Sequence, residues 1–123
     1  MALNPTVLVT DDDEDLRLLC QMYLELGGFG VTQAANGREA LDVVANARPD
    51  LILLDLMMPV MDGWECLTEL KSNGFSDIPV FVITGKTQQQ DQERAFALGA
   101  QAFIAKPFQG SALIARIKDE LAA

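Results

Sequence analysis

Short apolar segments alternate with amphipathic segments five times along the chain, and this alternation constrains the fold more than any other feature. The apolar segments have the length and the aliphatic content of buried strands. They cover residues 6–10, 31–35, 50–54, 79–84 and 101–105. The segments that follow them repeat apolar residues at the 3.6-residue period of an amphipathic helix. They cover residues 14–26, 38–47, 64–72, 91–98 and 110–121. Five such βα units predict a parallel sheet with helices on both faces.

Glycines mark the ends of three of the predicted helices. Gly27 and Gly28 follow the first helix, Gly74 follows the third and Gly99 the fourth, where glycine is the usual C-terminal cap. The third and fourth strands are almost entirely apolar, which is typical of central parallel strands buried on both faces. We therefore predict one domain over residues 1–123, built on a flavodoxin-like, doubly wound sheet of five parallel strands in the order 2-1-3-4-5.

The charge balance of the chain is strongly acidic. Lys and Arg total 9 against 18 Asp and Glu, so the formal net charge is −9 at pH 7. Such a surface repels phosphate backbones and anionic lipid, and we expect this domain to bind neither nucleic acid nor a membrane. The apolar segments are too short to span a bilayer, and Cys20 and Cys66 are predicted to be buried free thiols. A cytoplasmic location fits these observations.

The composition also contains no histidine. This excludes Ser-His-Asp and Cys-His catalysis, histidine-ligated zinc and a phosphohistidine carried by this chain. Any histidine chemistry in which the chain takes part must therefore come from a partner.

Charged and polar residues stand at the carboxyl ends of four predicted strands. Asp11 and Asp12 follow the first strand, Asp55 follows the third, Thr84 ends the fourth and Lys106 follows the fifth. The ligand crevice of a doubly wound sheet lies at this edge, between the first and third strands. Three carboxylates there would repel one another by about 3 kcal/mol per pair at roughly 5 Å and an effective dielectric near 20. Either their pKa values rise or a cation shares the site, and Mg²⁺ suits such oxygen ligands best.

Helix capping is the alternative explanation for the acidic run at residues 11–15. Asp and Glu are favoured just before and within the first turn of a helix, and we prefer that explanation for Asp13, Glu14 and Asp15. It does not account for Asp55, which closes an apolar run at the centre of the sheet, where an unused carboxylate would be costly.

The predicted crevice combines the groups that phosphoryl transfer requires. A carboxylate can attack phosphorus and form an aspartyl phosphate. The reaction needs in-line positioning, a divalent ion and a cationic or hydroxyl group on the transferring oxygens. Asp55, Lys106 and Thr84 would supply these parts together with Mg²⁺. Because water can attack the product, the phosphorylated form would act as a timed signal.

These residues lie in motifs that resemble the receiver domains of two-component response regulators. VLVTDDD holds the acidic pair, DLMMPVMDG holds Asp55, ITG holds Thr84 and FIAKPF holds Lys106. The resemblance covers nearly the whole chain, from about Thr6 to Leu121. It implies that Asp55 accepts a phosphoryl group from a partner histidine kinase or phosphotransfer protein, which would supply the histidine that this chain lacks.

The resemblance also implies a set of Mg²⁺ ligands. Asp12 and Asp55 would ligate the ion directly, Asp11 would act mainly through water, and Met57 would contribute its backbone carbonyl. Lys106 and Thr84 would bind the phosphoryl group.

A conformational switch is a further implication of the resemblance. Thr84 would move toward the phosphoryl group, and Phe103 would turn inward behind it and reshape the face built by the fourth helix, fifth strand and fifth helix. A core position without a switching role is the alternative for Phe103. The reshaped face would contact a downstream protein or a fused output domain, or form a homodimer. The bond between Lys106 and Pro107 resembles the cis peptide of the family.

Two other functions could use the same residues. A Mg²⁺-dependent phosphohydrolase would use Asp55 as its nucleophile, but such enzymes usually place a second acid two residues later, where this chain has Met57. A receiver-like interaction module that is never phosphorylated would have no need of the complete set of active-site groups. We expect at most slow self-dephosphorylation, because the apolar Met57 and the long Lys86 would hinder the attacking water.

Overall fold

A computed structural model describes residues 4–122 of the chain. Five parallel strands form one sheet in the order β2-β1-β3-β4-β5, which confirms the predicted strand order and fold class. The strands are β1 (Thr6–Thr10), β2 (Gly30–Ala34), β3 (Leu51–Leu54), β4 (Val80–Thr84) and β5 (Ala102–Ala105). The helices are α1 (Glu14–Leu26), α2 (Gly37–Asn46), α3 (Gly63–Ser72), α4 (Gln89–Ala97) and α5 (Gly110–Ala122).

The predicted bounds of β1 and α1 agree with the structure, most others differ by one or two residues, and local hydrogen bonds explain three of the differences. β2 begins at Gly30 because the Gly30 N–H donates to the Pro5 carbonyl at 2.9 Å, which extends the pairing with β1. α2 and α3 begin one residue early because Asn36 and Asp62 cap them, accepting hydrogen bonds from the backbone N–H groups three residues later. Side-chain caps of this kind satisfy donors that the first turn of a helix leaves free.

The hydrophobic core lies on both faces of the sheet. One cluster joins Leu8 and Ile52 to side chains of α2, α3 and α4. The other joins Val7 and Leu53 to side chains of α1 and α5. Every residue of β3 and β4 is buried, as expected for central strands that are covered on both faces. These strands therefore hold the residues at their carboxyl ends on a rigid support.

Glycine ends three helices, as predicted, but one of the four glycines is needed for a different reason. Gly28, Gly74 and Gly99 adopt φ values of 93°, 90° and 105°, which side chains other than glycine rarely tolerate. Gly27 has an ordinary φ of −80°. A Cβ there would lie 2.9 Å from Cγ2 of Ile114, so Gly27 is required by the packing of α5 against α1.

The two cysteines are buried and unpaired, as predicted. Burial raises the pKa of the Cys20 thiol to about 11 and that of Cys66 to about 12, so both stay protonated and unreactive at neutral pH. Within residues 4–122, none of the helices has the length and apolar character needed to cross a membrane.

Candidate functional site

The carboxyl ends of β1 and β3 bring three carboxylates together. Thr10 pairs with Leu54 at the end of the two strands, and the Asp55 N–H donates to the Thr10 carbonyl at 3.0 Å. One carboxylate oxygen from each of Asp11, Asp12 and Asp55 lies within 4.8 Å of the other two. Adjacent strands thus bring acidic residues from separate segments of the sequence into one crevice.

The three carboxylates differ in their exposure to solvent. Asp11 and Asp55 are buried, with 4% and 6% exposure, whereas Asp12 is exposed. Burial raises the pKa of the Asp55 carboxyl above its ordinary value, and the negative charge of Asp11 raises it further. Lys106 and the Met57 N–H, 3.4 Å from Asp55 Oδ1, oppose that shift. A cation bound between the carboxylates would relieve the same repulsion.

Lys106 lies within hydrogen-bonding distance of two of these carboxylates. Its Nζ atom is 2.8 Å from Asp11 Oδ2 and 3.3 Å from Asp55 Oδ2. Burial lowers the pKa of Lys106, but the hydrogen bond to Asp11 and the charge of Asp55 outweigh that effect, so the net pKa is raised. Lys106 is therefore a firmly protonated ammonium group beside Asp55. The peptide bond between Lys106 and Pro107 is cis.

Thr84 lies at the end of β4, but among the described residues its hydroxyl is hydrogen-bonded to the Lys86 backbone and not to the residues of the crevice. Thr84 is fully buried, and its Oγ1 accepts a hydrogen bond from the Lys86 N–H at 3.1 Å. In the described part of the chain, that hydroxyl makes no hydrogen bond with Asp55 or Lys106. The structure thus brings Asp11, Asp12, Asp55 and Lys106 together and leaves the hydroxyl of Thr84 outside their hydrogen bonds.

The acidic residues after Asp12 cap the first helix, as predicted. The Asp13 side chain accepts hydrogen bonds from the N–H groups of Asp15 and Leu16 at 3.0 and 3.3 Å. Glu14 and Asp15 lie in the first turn of α1, where negative charge interacts favourably with the helix dipole. Within the described residues, the carboxylates of Glu14 and Asp15 form no ion pair with Lys106, which holds Asp11 and Asp55.

Arg17 is a supporting residue that the sequence motifs did not indicate. Its Nη1 donates to the Asp11 backbone carbonyl at 2.7 Å, and its Nε donates to Gln33 Oε1 at 3.0 Å. These bonds tie α1 and β2 to the backbone of Asp11. In the sequence, only the position of Arg17 in the first turns of the predicted helix could have indicated this supporting role.

The loop between β3 and α3, which follows Asp55 directly, exposes two apolar side chains. Met57 and Val60 are exposed there, with 59% and 80% exposure. Val60 has a φ of 69°, which is rare for a β-branched residue, and the Met61 N–H donates across it to the Pro59 carbonyl at 2.8 Å. The sequence contains no signal for this conformation, because valine is not a residue expected at positive φ.

Gly63 lets the start of α3 pack directly against the backbone of Asp55. A Cβ at this position would lie 2.2 Å from the Asp55 carbonyl oxygen and 2.6 Å from the Cα of Leu56. The Gly63 N–H also donates to the Leu56 carbonyl at 3.0 Å. A side chain at residue 63 would therefore displace the segment that carries Asp55.

Phe103 is half-buried in β5 and packs against the core cluster that includes Ala95 of α4. It also lines a surface cleft with residues of α5, including Ala112 and Arg116. Its position is thus neither a fully buried core position nor a free surface position, and its proposed switching role remains a prediction.

A family model described as "Response regulator receiver domain" matches residues 7–118. The chain is 38% identical over 112 residues to response regulator MprA of Mycolicibacterium vanbaalenii, with coverage of 91% of this chain and 48% of that protein. It is 37% identical over 115 residues to response regulator SaeR of Staphylococcus aureus, covering 94% and 50%. The chain therefore spans about half the length of these curated relatives.

The solved structure of the chemotaxis protein CheY4 of Vibrio cholerae superposes with a TM-score of 0.90 at 30% sequence identity. The match covers 95% of this chain and 98% of that one. This likeness in fold extends over the five-stranded parallel sheet with the order β2-β1-β3-β4-β5. The family match, the curated relatives and the superposition lead to one conclusion: this chain belongs to the receiver domains of response regulators, a family of signalling domains.

Proposed function

We propose that Asp55 is the phosphoacceptor of this receiver and that its modification switches the domain between two signalling states. The observation that carries the proposal is the position of the Asp55 carboxylate. It is buried, its Oδ2 lies 3.3 Å from the ammonium nitrogen of Lys106, and it is grouped with two other carboxylates. Among residues 4–122, the buried carboxylates of Asp11 and Asp55 share the ammonium group of Lys106, and this excess of negative charge is unfavourable in the resting protein. Such an arrangement is expected where it serves a reaction.

The donor set fits Mg²⁺. Asp12 and Asp55 would ligate the ion directly, Asp11 would act through water, and Met57 would offer its backbone carbonyl. Three carboxylates with oxygens within 4.8 Å of one another match the preference of this cation for hard oxygen ligands. When bound, Mg²⁺ would neutralise the carboxylates and the charge that develops on the transferring phosphoryl oxygens.

The groups of the chain then have separate tasks in the reaction. One Asp55 oxygen attacks the phosphorus of a phosphohistidine, the P–N bond breaks, the imidazole leaves with a proton from solvent, and an acyl phosphate forms on Asp55. Lys106 holds a phosphoryl oxygen with its ammonium group, exchanging its bond to Asp55 for one to the new phosphate. Thr84 leaves the Lys86 N–H and donates its hydroxyl to another phosphoryl oxygen.

The partners follow from this chemistry. A histidine kinase or a phosphotransfer protein would supply the phosphoryl group, since the chain has no histidine of its own. A downstream protein or a fused output domain would read the α4-β5-α5 face, with Thr84 and Phe103 as the switch residues, or that face would form a homodimer. We propose a cytoplasmic setting and a single receiver domain over residues 1–123, with no direct contact to nucleic acid or membrane.

We propose that the phosphorylated form decays slowly and that the domain does not turn over small phosphate esters. Residue 57 follows Asp55 by two positions and carries an apolar, exposed methionine side chain, which can neither orient nor deprotonate a water molecule.

We predict that Met57→Asn accelerates dephosphorylation several-fold, because an amide beside Asp55 can orient the attacking water. The decay of the phosphorylated mass after removal of the donor measures this. Met22→Asn, an equally exposed methionine on α1, is the matched control, and an unchanged or slower rate for Met57→Asn would contradict the prediction.

Acetyl phosphate with Mg²⁺ tests the proposed function directly. Intact mass spectrometry should show one labile addition of about 80 Da, and the addition should disappear in Asp55→Asn and with EDTA. Continuous phosphate release at many turnovers would support the phosphohydrolase instead. No mass change in the wild type would support an interaction module that is never phosphorylated.

A further inference from the structure

Asp91 is a buried carboxylate outside the three-carboxylate crevice. It lies in the first turn of α4 and is only 6% exposed. Its Oδ1 is 3.5 Å from Nζ of Lys86, whereas its Oδ2 is buried without a hydrogen-bond partner among residues 4–122. A buried carboxylate oxygen without a partner costs free energy. The favourable interaction with the helix dipole does not explain the burial of Asp91, because an exposed acid would make the same interaction.

The face of α4 that carries Asp91 points toward the sheet. Asp91 and Ala95 are one turn apart and are the two buried residues of this helix, and Ala95 belongs to the same core cluster against which Phe103 packs. A carboxylate with only one of its oxygens paired therefore occupies one of the two positions through which α4 packs against the domain. This packing stabilises α4 less than two apolar side chains would.

Lys86 connects Asp91 to the crevice. Its N–H donates to the Thr84 hydroxyl at 3.1 Å, while its ammonium group pairs with Asp91. The backbone of Lys86 thus restrains Thr84, and the side chain of Lys86 is restrained by α4. A movement of Thr84 that carries the Lys86 backbone with it would disturb the ion pair at the other end of the same residue.

We propose that Asp91 is a positioning residue whose ion pair with Lys86 favours the unphosphorylated arrangement of Thr84 and of the β4–α4 loop. The inference rests on the proposed phosphoryl-binding role of Thr84. In this proposal the pair is specific to the resting arrangement, so it shifts the population away from the phosphorylated one. Removal of the ion pair should make the phosphoryl site easier to occupy, although neither Lys86 nor Asp91 belongs to the three-carboxylate crevice.

The binding of beryllofluoride, a phosphoryl mimic, in the presence of Mg²⁺ tests this inference by isothermal titration calorimetry on the whole chain. Asp91→Asn preserves the shape of the side chain and removes its charge. We expect it to tighten beryllofluoride binding about two- to fivefold, the range that a partly exposed ion pair can supply. Lys86→Met should tighten binding by a similar factor, Lys86→Arg should retain the wild-type affinity, and the double variant Lys86→Met/Asp91→Asn should gain nothing over either single variant.

Asp77→Asn is the matched control, because Asp77 pairs with Arg48 at an exposed site, and it should leave the affinity unchanged. If Asp91→Asn binds beryllofluoride as the wild type does, or changes only the melting temperature, the inference is wrong and the proposed function stands. If Asp91→Asn does not fold, unchanged affinity in Lys86→Met is the contradicting result, since Lys86 is exposed. If the wild type itself does not bind beryllofluoride, the proposed function fails and the inference fails with it.

Discussion

At the scale of single residues, the site depends on the balance between Asp55 and the charges around it. Burial and the charge of Asp11 raise the pKa of Asp55, which disfavours the ionised form that must act as nucleophile. Lys106, at 3.3 Å from the Asp55 carboxylate, counteracts this effect together with the Met57 N–H. The ammonium group therefore has two tasks, since it keeps Asp55 ionised before the reaction and holds the phosphoryl oxygens during it.

We predict that Lys106→Gln lowers the rate of phosphorylation by acetyl phosphate by about 100-fold, the loss typical when one electrostatic donor to a transition state is removed. The rate of appearance of the phosphorylated mass measures it. Lys118→Gln, an exposed lysine on α5, is the control and should leave the rate unchanged. A Lys106→Gln protein that is phosphorylated at the wild-type rate would contradict the proposed role of Lys106.

The raised pKa of Asp55 also predicts a pH-dependent cost in stability. The folded protein holds a proton on Asp55 to a higher pH than the unfolded chain, so the metal-free protein loses stability as the pH rises from the ordinary Asp value of 3.8 through the raised folded value. Asp55→Asn removes this cost. In EDTA at pH 7 we expect its melting temperature to be about 3 °C higher than that of the wild type, which corresponds to roughly 1 kcal/mol.

The gain from Asp55→Asn should disappear as the pH falls well below 3.8, where Asp55 is protonated in both the folded and unfolded states. Thermal melts across this range measure it. A gain that does not depend on pH would show that the charge of Asp55 is not its source.

At the scale of the elements, α4 differs from α1, α2 and α3 in how its first turn is capped. α1, α2 and α3 are capped by the side chains of Asp13, Asn36 and Asp62, but Gln88 provides no side-chain cap for α4. α4 also buries few side chains, and its contact with α3 includes the Arg94 guanidinium lying 4.1 Å from the centre of the Trp64 ring. A helix held in this way is suited to movement between two states.

We predict that the backbone amides of α4 (Gln89–Ala97) exchange with solvent faster than those of α3 (Gly63–Ser72). The reason is that α3 buries Trp64, Cys66, Leu67 and Leu70 and has a side-chain cap, so its local opening costs more free energy. Hydrogen exchange followed by mass spectrometry on peptides from the two helices measures the difference. Equal protection of the two helices would contradict the argument for α4 as the mobile element.

At the scale of the whole molecule, the net charge of −9 destabilises the compact state through repulsion, and the three-carboxylate crevice concentrates that repulsion. We predict that millimolar Mg²⁺ raises the melting temperature by more than NaCl at the same ionic strength. Binding to the folded state alone stabilises it by about 2.7 kcal/mol at a hundredfold excess over the dissociation constant. Thermal melts measure this.

Asp12→Asn is the matched control for the magnesium effect, because it removes an exposed carboxylate of the crevice and leaves the buried pair in place. The additional stabilisation by Mg²⁺ should be lost in this variant, whereas the general effect of NaCl should remain. Equal stabilisation by the two salts in the wild type would contradict the proposed metal site.

The amino-acid sequence by itself determined the order and type of all ten elements and the residues that follow each strand. Hydrophobic periodicity is a local property, so it can be read without the fold, and a parallel sheet collects the ends of its strands at one edge. The grouping of Asp11 and Asp55 with Lys106 could therefore be predicted, although 95 residues separate Asp11 from Lys106.

Only the tertiary structure decided the contacts between elements that have no sequence pattern. The bond from Arg17 to the Asp11 carbonyl, the positive φ of Val60 and the pair between Lys86 and Asp91 belong to this class. Each depends on the distance between backbones that only packing of the complete domain sets, and on side-chain rotamers that those distances select. The residue types at the strand ends therefore predicted the reactive groups of the crevice. The contacts that hold those groups in place depended on the assembled fold.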